Sequence, residues 1–194
     1  MTYANELPCL RLPRLTLRPM CVSDESHYCA WFSNAEIMEG IGPQLSRERA
    51  RAGFHASLGM MRSDPPTAWL WIAGATDGDD FAGLFGVVMR GGRHEVGALL
   101  EPALQRRGYA YEALEAVCDF ALSDLKVPVL YGHQLASNAR SVGLMEKLGF
   151  HRLPSDPGWI DWRLEHAQWR ADALGESELH FGDRGPIPVE RDAL

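Results

Sequence analysis

In "RLTLRPM" (14–20) apolar and polar residues alternate as far as Pro19, the period-two pattern of a strand, and the proline suits a sheet edge. Ser23 and Ser46 then stand as N-caps before helical stretches that end about Ser33 and Met61. "TAWLWIAGA" (67–75) and "FAGLFGVVMR" (81–90) form two strands joined through Asp77-Gly78-Asp79-Asp80, where glycine supplies the positive φ of a tight turn. Gly91-Gly92 makes the next turn and feeds "HEVGALL" (94–100), so strands two to four form an antiparallel meander. From Gly108 the pattern changes: Ala110, Leu114, Val117, Ala121, Leu122 and Leu125 fall on one helical stripe that stops before Pro128. "VPVLYGHQLA" (127–136) is a fifth strand, 138–148 a short helix stopped by Gly149, and "WIDWRLEH" (159–166) a closing strand. Strand–helix–strand–helix after a meander predicts an α/β chain with a mixed sheet covered by helices.

Composition narrows this to one domain. The 194 residues, 46% hydrophobic, suffice for one sizeable core. Periodicity is lost beyond about Leu174, so the reading divides the chain into a domain at 1–174 and an irregular, loosely draped tail at 175–194. A formal net charge of −7 argues against a nucleic-acid partner, which needs a basic face, and favours a cationic or amine-bearing one. With no uncharged apolar run of about 18 residues and no secretory pattern at the N-terminus, the expectation is a cytoplasmic protein without a membrane partner, monomer or homodimer. The four cysteines (9, 21, 29, 118) and seven histidines show no metal-ligand spacing, so no metal site is expected and the thiols read as reduced.

The candidate chemistry lies at "QRRGYA" (105–110), where a strand ends, Gly108 turns the chain and a helix begins. Free N–H groups and about half a positive charge gather at such a helix start, a generic anion site. The loop is neither GxxxxGK[ST] nor GxGxxG. On these grounds alone two readings stay open, a phosphate site or a solvated arginine pair.

"QRRGYA" resembles the Gln/Arg-x-x-Gly-x-Gly/Ala pyrophosphate loop of the GCN5-related N-acetyltransferase (GNAT) superfamily, and "NARSVGLMEKLGF" (138–150) resembles that superfamily's second acetyl-CoA motif. "LPRLTLRPM" and "EVGALLEPALQRRGYAYEAL" are similar to its ribosomal-protein N-terminal acetyltransferase (RimJ/RimL-like) branch, and the likeness covers residues 10 to 170. It implies a mostly antiparallel mixed sheet of about seven strands, splayed between strands four and five, with acetyl-CoA as cosubstrate. It would seat the pyrophosphate on the amides of Arg106, Arg107, Gly108, Tyr109 and Ala110, behind Gln105. Gly108 permits close approach and Ala110 keeps the first turn clear of bulk. Arg140 and Lys147 are candidates for the ribose phosphate end, or solvated helix charges. The pantetheine arm would add like a strand beside Leu99 and Leu100, whose amides also offer an oxyanion contact. Asn138 fits the family's pantetheine-contacting asparagine and equally an N-cap.

Direct transfer to a primary amine, whether a protein N-terminus or a small molecule, requires two proton movements. The tyrosine that many family members use to protonate the leaving thiolate is replaced here by Met145, which cannot donate. Ser141 resembles the serine that RimJ/RimL-like enzymes place near the sulfur, and it also reads as a small packing residue. Glu95, at the head of the fourth strand, is the leading base, with Glu101 or a water chain in reserve. Trp31, Phe32, Trp69 and Trp71 either line an acceptor cleft or pack in the core. The missing tyrosine keeps a non-catalytic acyl-CoA-binding module as the alternative.

Overall fold

The computed structural model describes residues 7–75 and 81–169; the expected turn at 77–80 and the tail at 175–194 lie outside them. Eight strands form a single sheet: β1 (Leu10–Arg11), β2 (Leu15–Pro19), β3 (Ala68–Ala75), β4 (Phe81–Arg90), β5 (Arg93–Leu100), β6 (Val129–Leu135), β7 (His151–Leu153) and β8 (Trp159–Glu165), in the order β1-β2-β3-β4-β5-β6-β8-β7. Every pairing is antiparallel except β5 with β6. The meander is as expected, and Gly91 and Gly92 turn it at φ 53° and 78°. The first strand of the reading is not an edge, because two-residue β1 pairs Leu10 with Leu17. Strands as short as β1 and β7 carry too few residues for an alternation to register.

Alternation along the strands divides the core into two layers. On one face Leu15, Leu17, Trp71, Phe85, Val87, Leu130, Trp162 and Leu164 pack against α4 (Tyr109–Asp119) and α5 (Ala139–Lys147). On the other Leu70, Ile72, Leu84 and Leu99 pack against α1 (Glu25–Phe32), α2 (Ala35–Met38) and α3 (Arg47–Met61). Helix α3 starts where its sequence requires, with Ser46 accepting from the Arg49 amide at 3.2 Å, and it buries Ala50, Phe54 and Leu58 at four-residue spacing. Helix α4 buries Ala113, Leu114, Val117 and Cys118, then widens by one turn at Phe120–Asp124, where the Leu125 amide reaches back five residues to the Phe120 carbonyl at 3.1 Å.

Ser23 does not cap α1. It lies inside a tight turn (Val22–Asp24), and the carboxylate of Asp24 accepts instead from the Cys21 amide at 2.8 Å. Asp24 is 1% exposed and holds the Arg18 guanidinium through both carboxylate oxygens, at 2.8 and 2.5 Å. Burial pushes its carboxyl up, but the bonds from Arg18 and the Cys21 amide outweigh that and hold it below the ordinary range. A buried carboxylate needs such partners, and Arg18 supplies one from β2. The tryptophans also divide between layers. Trp71 is fully buried against α4 and donates to the Pro8 carbonyl at 2.8 Å, while Trp31 lies 2% exposed in the opposite layer. Trp31, Trp69 and Trp71 therefore do not line one acceptor cleft. Phe32 stacks on Tyr28, ring centroids 4.4 Å apart.

Candidate functional site

Strands β5 and β6 pair only at His94 with Leu130 and Glu95 with Tyr131. Beyond those residues β5 runs on to Leu100 and β6 to Leu135, but no longer beside each other. Because backbone groups of a strand point alternately to its two sides, each strand turns toward this wedge N–H and C=O groups that do not bond to the other strand. At its mouth the chain forms a short turn (Pro102–Leu104), passes Gln105, Arg106 and Arg107, and enters α4 through Gly108.

That loop is held in an uncommon backbone. Gly108 caps α4 at φ 81° with no side chain bonded to the helix's first amides, and Arg106 stands at φ 63°, a left-handed conformation that costs a non-glycine residue about 1 kcal/mol or more. Strain kept at an uncapped helix start is a reason to look for a ligand there.

Arg14, which sequence reading passed over, pins this loop. Its amide and Nε donate to Glu112 at 2.9 and 2.7 Å, and a terminal nitrogen donates to the Arg107 carbonyl at 2.7 Å. Its guanidinium also covers the Tyr109 ring at 4.7 Å. No local signal marks Arg14, since its partners lie 93 and 98 residues away. Gln105 donates to the Leu100 carbonyl at 3.1 Å and accepts from Arg140, which ties the loop to β5 and to the first turn of α5. Arg106, Arg107 and Arg140 are exposed, so an acidic chain gathers cationic side chains at one helix start. Lys147 lies at the far end of α5, with its ammonium 4.1 Å from the centre of the Tyr111 ring.

Asn138 caps α5. Its oxygen accepts from the Ser141 amide at 3.2 Å, and its nitrogen donates to the Gly40 carbonyl at 2.8 Å. A Cβ on Gly40 would stand 2.7 Å from that nitrogen, so a larger residue there would displace the Asn138 amide from this contact. Ser141 donates its hydroxyl to Gln134 of β6. Met145 is buried at 4% exposure with its methyl over Gly132 of β6. Glu95, 29% exposed, is 3.6 Å from Arg90, and Glu101 accepts from the Trp31 indole. Of the predicted residues, Gln105 to Ala110 and Arg140 converge on the loop, and Leu99 and Leu100 border the wedge. Ser141 lies on the α5 face of the sheet, whereas Glu95 shares the opposite face with Leu99.

Comparison with known proteins follows the same outline. The sequence matches the family described as Acetyltransferase (GNAT) domain over residues 14–151. An acetyltransferase from Agrobacterium tumefaciens superposes with a TM-score of 0.74 at 24% identity, covering 85% of this chain and 98% of its own. A spermidine N-acetyltransferase from Vibrio cholerae, solved with CoA and spermine, gives 0.67 at 16% identity over 80% and 98%. A ribosomal-protein-S5-alanine acetyltransferase from Vibrio fischeri gives 0.67 at 14% over 83% and 98%. At these identities the structural likeness is one of fold. The family match spans well over half of the chain and includes both the wedge and the loop at its mouth, so this protein belongs to the GNAT acetyltransferases, a family that transfers acetyl groups from acetyl-CoA.

Proposed function

We propose that the protein transfers an acetyl group from acetyl-CoA directly to a primary amine while both are bound. The observation that carries this is the wedge between β5 and β6 opening onto the uncapped, left-handed entry to α4. An extended arm fits unpaired strand edges and a pyrophosphate fits free helix amides. In this reading the amides of Arg106 to Ala110 bind the diphosphate, Arg107 and Arg140 add charge at the rim, and the backbone of Leu99 and Leu100 lines the arm. Lys147, two turns beyond Arg140, serves the ribose phosphate end by giving up its contact with Tyr111. An amide near Leu99 stabilises the negative charge that grows on the acetyl oxygen as the amine attacks. Asn138 holds the start of α5 against the loop at Gly40 and borders the arm, and Ser141 turns its hydroxyl from Gln134 toward the departing thiolate.

Both faces carry helices, α4 and α5 on that of the loop and Ser141 and α1 to α3 on the other, but the second leaves the Glu95 carboxylate 29% exposed, so the amine enters there. The acceptor is a protein N-terminus, as the RimJ/RimL-like resemblance implies, or a small amine. The test is thiol release from acetyl-CoA across a panel of N-terminal peptides, polyamines and amino-acid derivatives, beside calorimetry with acetyl-CoA alone. Turnover with one class and a Glu95→Gln loss in kcat/KM support the assignment; binding without turnover on any amine sinks it.

A further inference from the structure

The amine-facing side of the sheet carries a polar group that the proposed reaction has not yet used. His133 stands on β6 two residues past Tyr131, the last residue paired with β5, hence where the strands have parted. Alternation puts His133 on the face of Tyr131, opposite to Gln134 and Ser141. Its Nδ1 is 2.6 Å from Asp161 of β8, the residue paired with it across the strands. Its ring lies on Trp159 with centroids 4.4 Å apart and planes 11° from parallel. An acidic partner at Nδ1 fixes the proton there and leaves the Nε2 lone pair as the basic site. Two contacts thus fix tautomer and ring plane, yet His133 keeps 48% of its side chain exposed. A histidine recruited only for packing has no need of both.

We propose that His133 is the catalytic base for the acceptor amine and that Asp161 is its positioning residue. This rests on the amine-acetylation reading above. Neutral Nε2 takes one proton from the acceptor ammonium, R–NH₃⁺, giving R–NH₂ and an imidazolium. The nitrogen lone pair forms the C–N bond to the acetyl carbon as the C–S bond breaks, and the nitrogen's second proton goes with the thiolate to make the thiol. The imidazolium returns its proton to water at its exposed edge, so R–NH₃⁺ and the thioester become amide, thiol and H⁺. Glu95 draws the ammonium in, and His133 removes the proton. Other charged groups on this face include Arg90, 3.6 Å from Glu95, Arg163, 3.0 Å from Glu165, Arg93, over the Tyr131 ring at 4.9 Å, exposed His151, paired with Arg163, and, farther along the sheet, Arg18 on Asp24.

The experiment measures kcat, KM for the amine and acetyl-CoA affinity in wild type, His133→Gln, His133→Ala and Asp161→Asn. His133→Gln should lower kcat on the order of 10²-fold, with acetyl-CoA affinity within about twofold. It should also erase the acid limb of the kcat/KM profile. Imidazole in the buffer should restore part of the rate to His133→Ala but not to wild type. Asp161→Asn should cost about tenfold and move that limb, as loss of an orienting partner does. Active wild type with an unchanged rate and pH profile in His133→Gln overturns this inference alone. Wild type that binds acetyl-CoA and acetylates no amine overturns the underlying reading and this inference with it.

Discussion

The proposed reaction asks much of one oxygen, that of Ser141. Its hydroxyl is already placed, donating to Gln134 from the first turn of α5, so turning it to the sulfur exchanges one hydrogen bond for another only when charge develops there. Ser141→Ala should therefore lower turnover on the order of 10²-fold and leave acetyl-CoA affinity nearly unchanged, since the contact belongs to the transition state. Equal turnover in wild type and variant, by thiol release, would return the hydroxyl to packing and to Gln134. Met145 bears on the same question from the other side. Its methyl sits where a Cβ on Gly132 would come within 2.5 Å, so the position is full. Met145→Tyr should cost about 1–3 kcal/mol of stability by overpacking, read from the denaturation midpoint, without rescuing Ser141→Ala.

The element that matters most is the loop into α4. Gly108 sits at φ 81°, and a Cβ there would also stand 3.1 Å from the Arg14 guanidinium, the group that ties Arg107 to Glu112. Gly108→Val adds a β-branched side chain to a left-handed position and pushes it against Arg14. In wild type, acetyl-CoA at about 100 times its Kd should stabilise by ~2.7 kcal/mol, a rise of roughly 5–10 °C in Tm for a chain this long. Gly108→Val should lose that rise. A full shift in a folded variant would move the anion site elsewhere.

At the scale of the molecule, acid should weaken the fold in two stages. Burial beside Trp69 holds His94 below its ordinary value; a histidine with a depressed folded-state pKa loses stability as pH falls below its unfolded value, about 6.5. Asp24 is also depressed, but as a carboxylate it contributes stability above about 3.9 that is lost as pH falls through its lower folded value. Tm should then be level only between about pH 7 and 8, below the range in which the thiols of Cys29 and Cys118 ionise in the unfolded chain, fall from about pH 6.5 and fall again below about pH 4. His94→Phe should remove the first decline and Asp24→Asn the second. A first decline that survives in His94→Phe would assign it to another group.

Periodicity in the sequence determined the meander, α3 from Ser46, α4 from Gly108, α5 from Asn138 and the closing strand, because each rests on contacts within a few residues. It also marked the loop proposed to hold an anion, since a glycine between a strand and a helix is a local fact about backbone. Tertiary structure alone decided the rest. Arg14 meets Arg107 across 93 positions, Trp31 meets Glu101 across 70, Asn138 meets Gly40 across 98 and His133 meets Asp161 across 28. Alternation along β3 puts Trp69 and Trp71 on one face, but nothing in that alternation says that α4 covers it. The sheet face of a strand is written in its own residues; what covers that face, and which charge stands opposite, depends on the register and crossover of segments far along the chain.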